Sequence, residues 1–315
     1  MTRTLAADLG GSFIKLAMIG PEDGEDFTVR TRPTPGQDFG ALLDAFAELA
    51  AAEGAAPDVP LVIAAAGPID PESGEIITAN IPCLMGKRPA EALARHLGRP
   101  VHFVNDADAF ALAEAISGAG RGHRIVLGAI IGTGVGGGLV VEERLVRGLQ
   151  GIGGEWGHGP VAPTRVKVSP IEIPRMPCGC GQVGCADSFG SARGIERLHA
   201  LLGGGETDSR AIVAAWRQGD AVAVRTIAVW AEMLSGPLAM AINLTGASVV
   251  PVGGGIGTAV DLVETLDREV RSRILLRSKQ PVVVPARFGA KAGLIGAALL
   301  GARLSQETTR PADRP

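Results

Sequence analysis

The sequence predicts an α/β protein, and three observations support that prediction. Short apolar runs alternate with longer segments of helical character, which is the pattern of an α/β fold. Hydrophobic residues make up 46% of the 315 residues but aromatic residues only 3%, so we expect a core of Ala, Val, Ile and Leu. The 45 glycines predict many tight turns and close backbone approaches. At about 100–200 residues per domain, the length predicts two domains or one large one.

The charge balance and the apolar stretches argue against several classes of protein. With 30 Lys and Arg against 33 Asp and Glu, the formal net charge is −3, which gives no electrostatic reason to expect a nucleic-acid partner. The longest uncharged stretch, Met233 to Val260, contains Pro237 and Pro251, so we expect no membrane partner. The first residues lack a secretory signal, and we therefore expect a cytoplasmic protein.

The first half of the chain alternates strands and helices between clear turn signals. A glycine pair near residue 10 separates two apolar runs, which predicts a strand, a turn and a strand. Pro89 early in one segment and Gly98 at its end predict a helix. The expected elements are strands within 4–20 and over 61–66 and 101–104, and helices over 39–53, 89–98 and from 105 to about 117.

A glycine-rich segment over 118–122 predicts a domain boundary. A long stretch over 150–190, rich in Gly and Pro, holds three of the four cysteines. The expected elements of the second half are strands over 125–131, 138–142 and 282–284, and helices over 191–203, 209–215, 220–244, 258–274 and 290–304. The polar residues 306–315 predict a frayed tail.

Two glycine-rich turns between strands are candidate phosphate sites. The first is Asp8-Leu9-Gly10-Gly11-Ser12, and the second covers 132–138. Backbone N–H groups and a Ser or Thr hydroxyl in such turns can approach phosphate oxygens, and a strand-end Asp can hold a metal-bound water. Two ordinary tight hairpins explain the same residues. The second turn also matches G-x-G-x-x-G, but an apolar strand follows it instead of the helix that a dinucleotide site needs.

Two further candidate ligand segments follow apolar strands, one polar and one rich in glycine. Asn105 and Asp106 end one strand, where α/β proteins place ligand groups. Asp106 could act as a general base toward a hydroxyl group that the Asn105 amide holds, although capping of the next helix explains the pair equally well. The segment 251–257 would let the backbone approach a nucleotide base or ribose, or it is a plain strand-to-helix turn.

Three cysteines within eight residues predict a metal site. The segment Cys178-Gly-Cys180-Gly-Gln-Val-Gly-Cys185 can wrap one soft ion, and His158 is the nearest candidate for a fourth ligand. Three Cys and one His form a closed, structural zinc site, whereas three unligated thiols are the alternative. Cys83 stands alone and is expected to be a small buried hydrophobic residue.

Taken in order, these features resemble the ROK family (repressor, open reading frame, kinase), whose kinases phosphorylate sugars. The resemblance covers nearly the whole chain, and its most specific part is Glu155-x-Gly-His158 with the cysteine segment. It implies an actin-like, ribonuclease-H-like pair of α/β domains with ATP and sugar in the cleft between them. We expect a smaller domain over 1–117, completed by the helix 290–305, and a larger domain over 118–289 that holds the zinc site.

The resemblance implies a role for each motif. Asp106 matches the catalytic base, which takes the proton of a sugar hydroxyl as that oxygen attacks the γ-phosphoryl group of ATP. The expected ATP site is Asp8, Gly10, Gly11, Ser12, Gly132, Thr133, Gly134, Gly253, Gly254 and Gly255. The expected sugar site is Gly67, Asn80, Asn105, Asp106, Glu155, His158 and Asp187, and the expected zinc ligands are His158, Cys178, Cys180 and Cys185. Magnesium accompanies ATP, and the family resemblance implies a homodimer.

Three departures from the family pattern bear on the substrate. Asp187 stands where the family usually has Glu, which retracts the carboxylate by ~1.5 Å and either loses a direct hydrogen bond to the sugar or makes room for a bulkier substituent. The segment Val161 to Arg175 is an insertion, expected at the rim of the site. Ala64-Ala65-Ala66 before Gly67 replaces a more usual Gly-x-Pro pattern.

The resemblance implies an ATP-dependent hexose kinase that acts on the 6-hydroxyl, with glucose as the first expectation. An N-acetylhexosamine is the second and fructose the third. Sugar-responsive repressors of the family carry an N-terminal helix-turn-helix and often lose the catalytic Asp. Because this chain opens on the first phosphate strand and has Asp106, a regulator or a silent sugar binder is the less favoured class.

Overall fold

Two five-stranded sheets organise the chain, each in its own compact unit. Unit 1 comprises residues 1–113, 145–153 and 290–315, and unit 2 comprises residues 114–144 and 154–289. The computed structural model describes residues 3–20, 23–67, 69–70, 72–76, 80–148, 151–275 and 278–309.

The sheet of unit 1 has the strand order β3-β2-β1-β4-β5. Its strands are Thr4–Leu9 (β1), Phe13–Ile19 (β2), Arg30–Pro33 (β3), Leu61–Ala65 (β4) and Val101–Asn105 (β5). The strands β1 and β2 form the predicted hairpin, in which Leu9 lies opposite Ile14. The strands β1, β4 and β5 are parallel, so their carboxyl ends meet at one edge of the sheet.

Helices cover both faces of this sheet, as the alternation of side chains along β1 requires. Leu5, Ala7 and Leu9 pack on one face with residues of α1 and α2, whereas Ala6 packs on the other face with residues of α10. A Cβ at Gly296 would lie 1.9 Å from the Ala109 carbonyl oxygen, so glycine lets α10 approach α3 closely. The helices are Phe39–Ala52 (α1), Pro89–Leu97 (α2), Asp106–Ile116 (α3) and Ala292–Thr309 (α10).

The sheet of unit 2 has the strand order β10-β9-β6-β7-β8. Its strands are Ile125–Ile131 (β6), Val135–Val141 (β7), Arg144–Leu145 (β8), Val250–Gly253 (β9) and Val283–Pro285 (β10). The strands β6 and β7 form a second antiparallel hairpin, whose turn carries the second glycine motif. The helices are Asp187–Gly190 (α4), Ala192–Leu201 (α5), Ser209–Arg217 (α6), Ala221–Thr245 (α7), Gly254–Gly257 (α8) and Val260–Arg271 (α9).

The helix α7 has the length and apolar composition of a membrane span, with a mean hydropathy of 1.4. It lies in the core of unit 2, where 56% of its most apolar window is buried. Trp230 of this helix is fully buried, and its Nε1 donates a hydrogen bond to the Gly190 carbonyl oxygen at 2.9 Å. A buried core helix of a soluble protein has the same composition.

The structure differs from the sequence-based expectations at several boundaries. The strand β7 begins at Val135 instead of residue 138. Its glycines pair with β6, and because they have no Cβ they leave room for the segments that pack on this strand. The last helix continues through Thr309, past the expected start of the tail at 306, since no proline interrupts it before Pro311. The short strands β3 and β8 and the one-turn helices α4 and α8 were not predicted.

Candidate active site

Asn105 and Asp106 lie where β5 passes into α3, at the carboxyl edge of the parallel strands. The Asn105 Oδ1 accepts the N–H groups of Ala107 at 2.9 Å and Asp108 at 3.3 Å, so the capping interpretation is correct for this oxygen. The Asp106 Oδ1 accepts the Ala107 N–H at 2.9 Å. The Nδ2 of Asn105 and the Oδ2 of Asp106 are outside this cap, so the same pair can also face a ligand.

The Asp106 carboxyl has the electrostatic environment of a general base. Burial raises its pKa above the ordinary 3.8, a backbone hydrogen bond from Ala107 opposes that shift, and repulsion from Asp8 adds to it. Burial also raises the pKa of Asp8, against the nearby Lys15, whose Nζ lies 3.7 Å from Asp8 Oδ2. A raised pKa makes Asp106 a better proton acceptor at neutral pH than an ordinary aspartate.

Hydrogen bonds to the Gly10 backbone fix the first glycine turn. The Gly10 N–H donates to the Phe13 carbonyl oxygen at 3.0 Å, and the Thr34 hydroxyl donates to the Gly10 carbonyl oxygen at 2.7 Å. A Cβ at Gly11 would lie 3.0 Å from the Asn80 carbonyl oxygen. Glycine at this position therefore brings the turn, with its exposed Ser12, against the segment that contains Asn80.

The second glycine turn and the 253–255 segment lie together in unit 2. A Cβ at Gly254, which has φ +80°, would lie 2.5 Å from the Ile131 carbonyl oxygen, and one at Gly132 would lie 3.7 Å from the Gly255 nitrogen. Only glycine fits this left-handed position and this approach. The exposed Thr133 and Gly134 complete the turn. The two expected ATP motifs of this unit are thus adjacent.

The loop that carries Glu155 and His158 is fixed to β7 by Trp156. The Trp156 Nε1 donates to the Gly136 carbonyl oxygen at 3.1 Å, and a Cβ at Gly137 would lie 2.7 Å from the indole ring. The Glu155 Oε2 lies 3.7 Å from His158 Nε2. No role for Trp156 was predicted from the sequence, where the available signal is its position between Gly154 and Gly157.

The predicted zinc ligands come together in the structure. One ligand atom from each of His158, Cys178, Cys180 and Cys185 lies within 4.8 Å of the others. The Cys178 Sγ is 3.6 Å from His158 Nδ1, and the sulfurs of Cys180 and Cys185 are 3.6 Å apart. A tetrahedral zinc ion with sulfur at ~2.3 Å separates its ligands by roughly 3.7 Å, so this donor set fits zinc. Cys83 is half-buried and lies outside this cluster.

Asp187 follows the last cysteine of the cluster and reaches the second glycine turn. Its Oδ1 accepts the Val135 N–H at 2.6 Å, and its Oδ2 lies 3.5 Å from Cys178 Sγ. Its own N–H donates to the Gly157 carbonyl oxygen at 3.0 Å. Asp187 therefore contacts the Cys/His cluster, the Glu155–His158 loop and the hairpin turn.

Two expected sugar ligands lie in unit 1 at irregular positions. Gly67 has φ +102° just after β4, a conformation that favours glycine. Asn80 is exposed and adjoins the first glycine turn. The Pro68 that follows Gly67, and residues 77–79 before Asn80, lie outside the described residues.

The insertion Val161 to Arg175 packs into unit 2 through part of its length. Ile173 is buried in the core, and the Glu232 carboxylate of α7 accepts the N–H groups of Lys167 at 2.9 Å and Val168 at 3.1 Å. Val168 and Ile171 remain exposed. The segment is therefore anchored to unit 2, and its expected place at the rim of the site stays a prediction.

Residues 4–303 match the ROK family. The chain belongs to the ROK family. Among its ROK relatives, the N-acetyl-D-glucosamine kinase of Pectobacterium atrosepticum is 34% identical over 93% of this chain and 97% of its own. The N-acetylgalactosamine kinase of Shewanella sp. strain ANA-3 is 33% identical over 93% of this chain and 95% of its own.

Solved ROK structures share the fold. The ROK hexokinase of Thermus thermophilus superposes with a TM-score of 0.83 at 30% identity, over 97% of this chain and 100% of its own. The ROK glucokinase of Streptomyces griseus, in complex with glucose and AMPPNP, has a TM-score of 0.74 at 29% identity, over 96% and 99% of the two chains. The predicted family and the actin-like two-domain fold are confirmed, and the kinase names of these relatives agree with the predicted phosphotransferase class.

Proposed function

We propose that this ROK protein transfers the γ-phosphoryl group of ATP to the 6-hydroxyl of an N-acetylhexosamine. The observation that carries the kinase proposal is the Asp106 carboxyl at the carboxyl edge of β5, whose pKa burial raises. The acetylated substrate is supported by the relatives at 34% and 33% identity, which are named as N-acetylglucosamine and N-acetylgalactosamine kinases. Glucose, the first expectation from sequence, moves to second place.

The reaction needs one proton acceptor and a set of groups that orient the reactants. Asp106 takes the proton of the 6-hydroxyl as that oxygen forms its bond to the γ-phosphorus, and the bond to the β,γ-bridging oxygen breaks to release ADP. The Asn105 amide nitrogen, which the helix cap does not use, holds the attacking hydroxyl. Most of the rate enhancement comes from orientation and electrostatics, since the phosphoryl group itself needs little covalent assistance.

The proposed nucleotide site is formed by glycine turns, whose exposed members are Gly11, Ser12, Thr133, Gly134, Gly254 and Gly255. Glycine at these positions lets the phosphate oxygens approach the backbone without a Cβ in the way. Magnesium enters with ATP, and the Asp8 carboxylate is placed at a strand end to hold its water. The residues that we propose for this site are Asp8, Gly10, Gly11, Ser12, Gly132, Thr133, Gly134, Gly253, Gly254 and Gly255.

The proposed sugar ligands are Gly67, Asn80, Asn105, Glu155 and His158. The resemblance adds Asp187, which offers a sugar hydroxyl mainly its Oδ2 because Oδ1 accepts the Val135 N–H. The short Asp187 side chain is held against the turn, and we propose that the space a glutamate would fill receives the acetamido group. His158 would also bind zinc, so the metal would orient a sugar contact while serving as a structural ion.

The zinc site is structural in this proposal because the four protein ligands complete a tetrahedron. Burial raises the pKa of the Cys178 thiol to about 12, so a bound cation is required to keep this ligand as a thiolate at neutral pH.

Three further expectations stay predictions. They are the domain limits, which are 1–117 with 290–305 and 118–289, the homodimer and the cytoplasmic location.

Glucose is the second candidate substrate, and the Streptomyces griseus glucokinase structure favours it. Both candidates share the reaction; N-acetylglucosamine differs from glucose only at the substituent on carbon 2, and N-acetylgalactosamine differs from it also in the configuration at carbon 4. A sugar-sensing regulator without catalysis is less favoured, because Asp106 is present with a raised pKa at a strand end.

The test is ADP release with ATP and magnesium over a panel of N-acetylglucosamine, N-acetylgalactosamine, N-acetylmannosamine, glucose and fructose. We expect the highest kcat/KM on an N-acetylated sugar, and a loss of about 10²–10⁴-fold in Asp106→Asn. Higher kcat/KM on glucose would reassign the substrate. If the folded, zinc-containing protein binds a sugar without releasing ADP, the kinase proposal fails and the sensor remains.

A further inference from the structure

The Asp187 carboxylate is joined to the backbone of the second glycine turn. Its Oδ1 accepts the Val135 N–H at 2.6 Å, a short bond to a charged acceptor. Val135 is the first residue of β7 and directly follows Gly134. A Cβ at Gly134 would lie 2.8 Å from the same oxygen, so the turn rests on the carboxylate without a gap.

Besides the pairing of Ile131 with Val135 and the close approach of Gly254, two backbone hydrogen bonds contribute to the shape of the turn. Within it, the Gly132 N–H donates to the Gly134 carbonyl oxygen at 2.9 Å. Outside it, the Ala192 N–H donates to the Gly132 carbonyl oxygen at 2.8 Å. Thr133 and Gly134 are exposed. The Asp187 carboxylate therefore adds a side-chain acceptor at the carboxyl-terminal side of the turn, where it holds the Val135 N–H.

The same side chain is anchored next to the zinc cluster. Cys185 is two residues earlier, Cys178 Sγ lies 3.5 Å from Asp187 Oδ2, and the Asp187 N–H donates to the Gly157 carbonyl oxygen. Metal binding would fix the cysteine segment, and the segment leads straight into Asp187.

We infer that Asp187 is a positioning residue for the nucleotide: it sets the conformation of the 132–134 turn and ties that turn to the zinc cluster. This role differs from the sugar-ligand role that the resemblance implies for this position, and it rests on the proposed function only in assigning the turn to ATP phosphates. The consequence is that changes at Asp187 alter nucleotide affinity more than sugar affinity.

The test compares Asp187→Ala with Asp187→Asn in the full, zinc-containing chain. Asparagine keeps an Oδ1 that can accept the Val135 N–H, whereas alanine leaves that N–H without its acceptor. The matched control is Asp208→Ala, because the exposed Asp208 Oδ1 accepts the Ala211 N–H at 2.9 Å in a helix cap of the same unit. Calorimetry then measures the Kd for Mg-ADP and, separately, for N-acetylglucosamine, and metal analysis measures the zinc content.

We expect Asp187→Ala to raise the Kd for Mg-ADP by about tenfold, to raise the Kd for the sugar by a smaller factor, and to keep its zinc. We expect Asp187→Asn and Asp208→Ala to bind Mg-ADP like the unaltered protein. Weaker sugar binding with unchanged Mg-ADP binding in Asp187→Ala would overturn the inference, and so would loss of zinc with both affinities.

These outcomes separate this inference from the proposed function. If the unaltered protein binds Mg-ADP but phosphorylates no N-acetylated sugar, the substrate proposal fails and the Asp187 comparison still decides the inference. If the unaltered protein does not bind Mg-ADP, the kinase proposal and the inference both fail.

Discussion

Asp106 and Asp8 lie close enough in unit 1 for the charge of Asp8 to raise the pKa of the Asp106 carboxyl, in addition to the larger effect of burial. The two carboxyls come from the ends of β5 and β1, which are parallel strands separated by β4. The proposed proton acceptor and the carboxylate proposed to hold a magnesium-bound water therefore lie at the same sheet edge, where the charge of Asp8 makes ionisation of Asp106 less favourable.

The raised pKa of Asp106 predicts how kcat/KM falls at acid pH. Because the Asp106 pKa is raised, kcat/KM should begin to fall at a pH above the ordinary 3.8 as Asp106 becomes protonated. Asp8→Asn removes the repulsion, so its residual activity should show the limb shifted slightly toward acid, since burial is the larger cause. Initial rates between pH 3 and 8 measure the acid limb of the unaltered protein and that of Asp8→Asn. A midpoint at or below 3.8 would contradict the assignment of Asp106 as the base.

The same raised pKa predicts that Asp106→Asn is more stable than the unaltered protein at pH 7. The folded state holds the proton of Asp106 more tightly than the unfolded state, so ionisation at neutral pH destabilises the fold. Asparagine removes that charge and keeps an oxygen for the Ala107 N–H. The difference in Tm should shrink as the pH falls through the folded-state pKa toward 3.8. Thermal unfolding at pH 7, 6 and 5 measures it, and a lower Tm for the variant at pH 7 would argue against a destabilising charge.

Removal of one zinc ligand should release the metal and destabilise unit 2. We expect about one zinc per chain in the unaltered protein and almost none in Cys185→Ser, with a lower Tm, because Cys185 is buried within the cluster. Cys83→Ser is the control, since Cys83 lies in unit 1 outside the cluster, and it should keep its zinc. Elemental analysis with thermal unfolding tests this; equal zinc content in the two variants would exclude the assigned ligand set.

Glu114 is a buried carboxylate whose replacement should strongly destabilise unit 2. It accepts the N–H groups of Ala119 at 2.9 Å, Arg287 at 3.0 Å and Phe288 at 2.9 Å. Glu114→Ala leaves these three donors without that acceptor, so we expect a loss of about 3–5 kcal/mol. Glu264→Ala, at an exposed site on α9, should change the stability by less than about 0.5 kcal/mol.

All three tryptophans belong to unit 2, so urea unfolding followed by tryptophan fluorescence reports on the unit that contains Glu114. A loss below about 1 kcal/mol in Glu114→Ala would mean that water or another group replaces the carboxylate.

Gly137→Ala should displace Trp156 and, through it, the loop with Glu155 and His158. The added Cβ would lie 2.7 Å from the indole ring and 2.8 Å from the Gly128 carbonyl oxygen. A shift of about 1 Å at a substrate-binding residue can reduce kcat/KM by about 10²-fold. Gly236→Ala, in α7 with no atom within 4 Å of its Cβ, is the control and should keep full activity. Steady-state kinetics on the sugar compares the two, and equal kcat/KM values would show that Trp156 does not position the loop.

Much of the fold was predictable because its signals are local. The hairpin at Gly10–Ser12, the helix between Pro89 and Gly98 and the apolar strand before Asn105 each follow from a few neighbouring residues. The Cys178–Cys185 cluster was predictable for the same reason, and His158 required only one additional ligand from nearby in the chain.

The sequence by itself determined the α/β alternation and the family, and it predicted the candidate base and the four members of the Cys/His cluster, since these depend on residue type and spacing. Only the tertiary structure decided that Asp187 holds the Val135 N–H, that Trp156 covers β7, and that Glu114 binds the backbone near Arg287. These contacts join residues 52, 20 and 173 positions apart, and their geometry depends on how the strands and helices pack. Periodicity and local spacing carry no information at such separations.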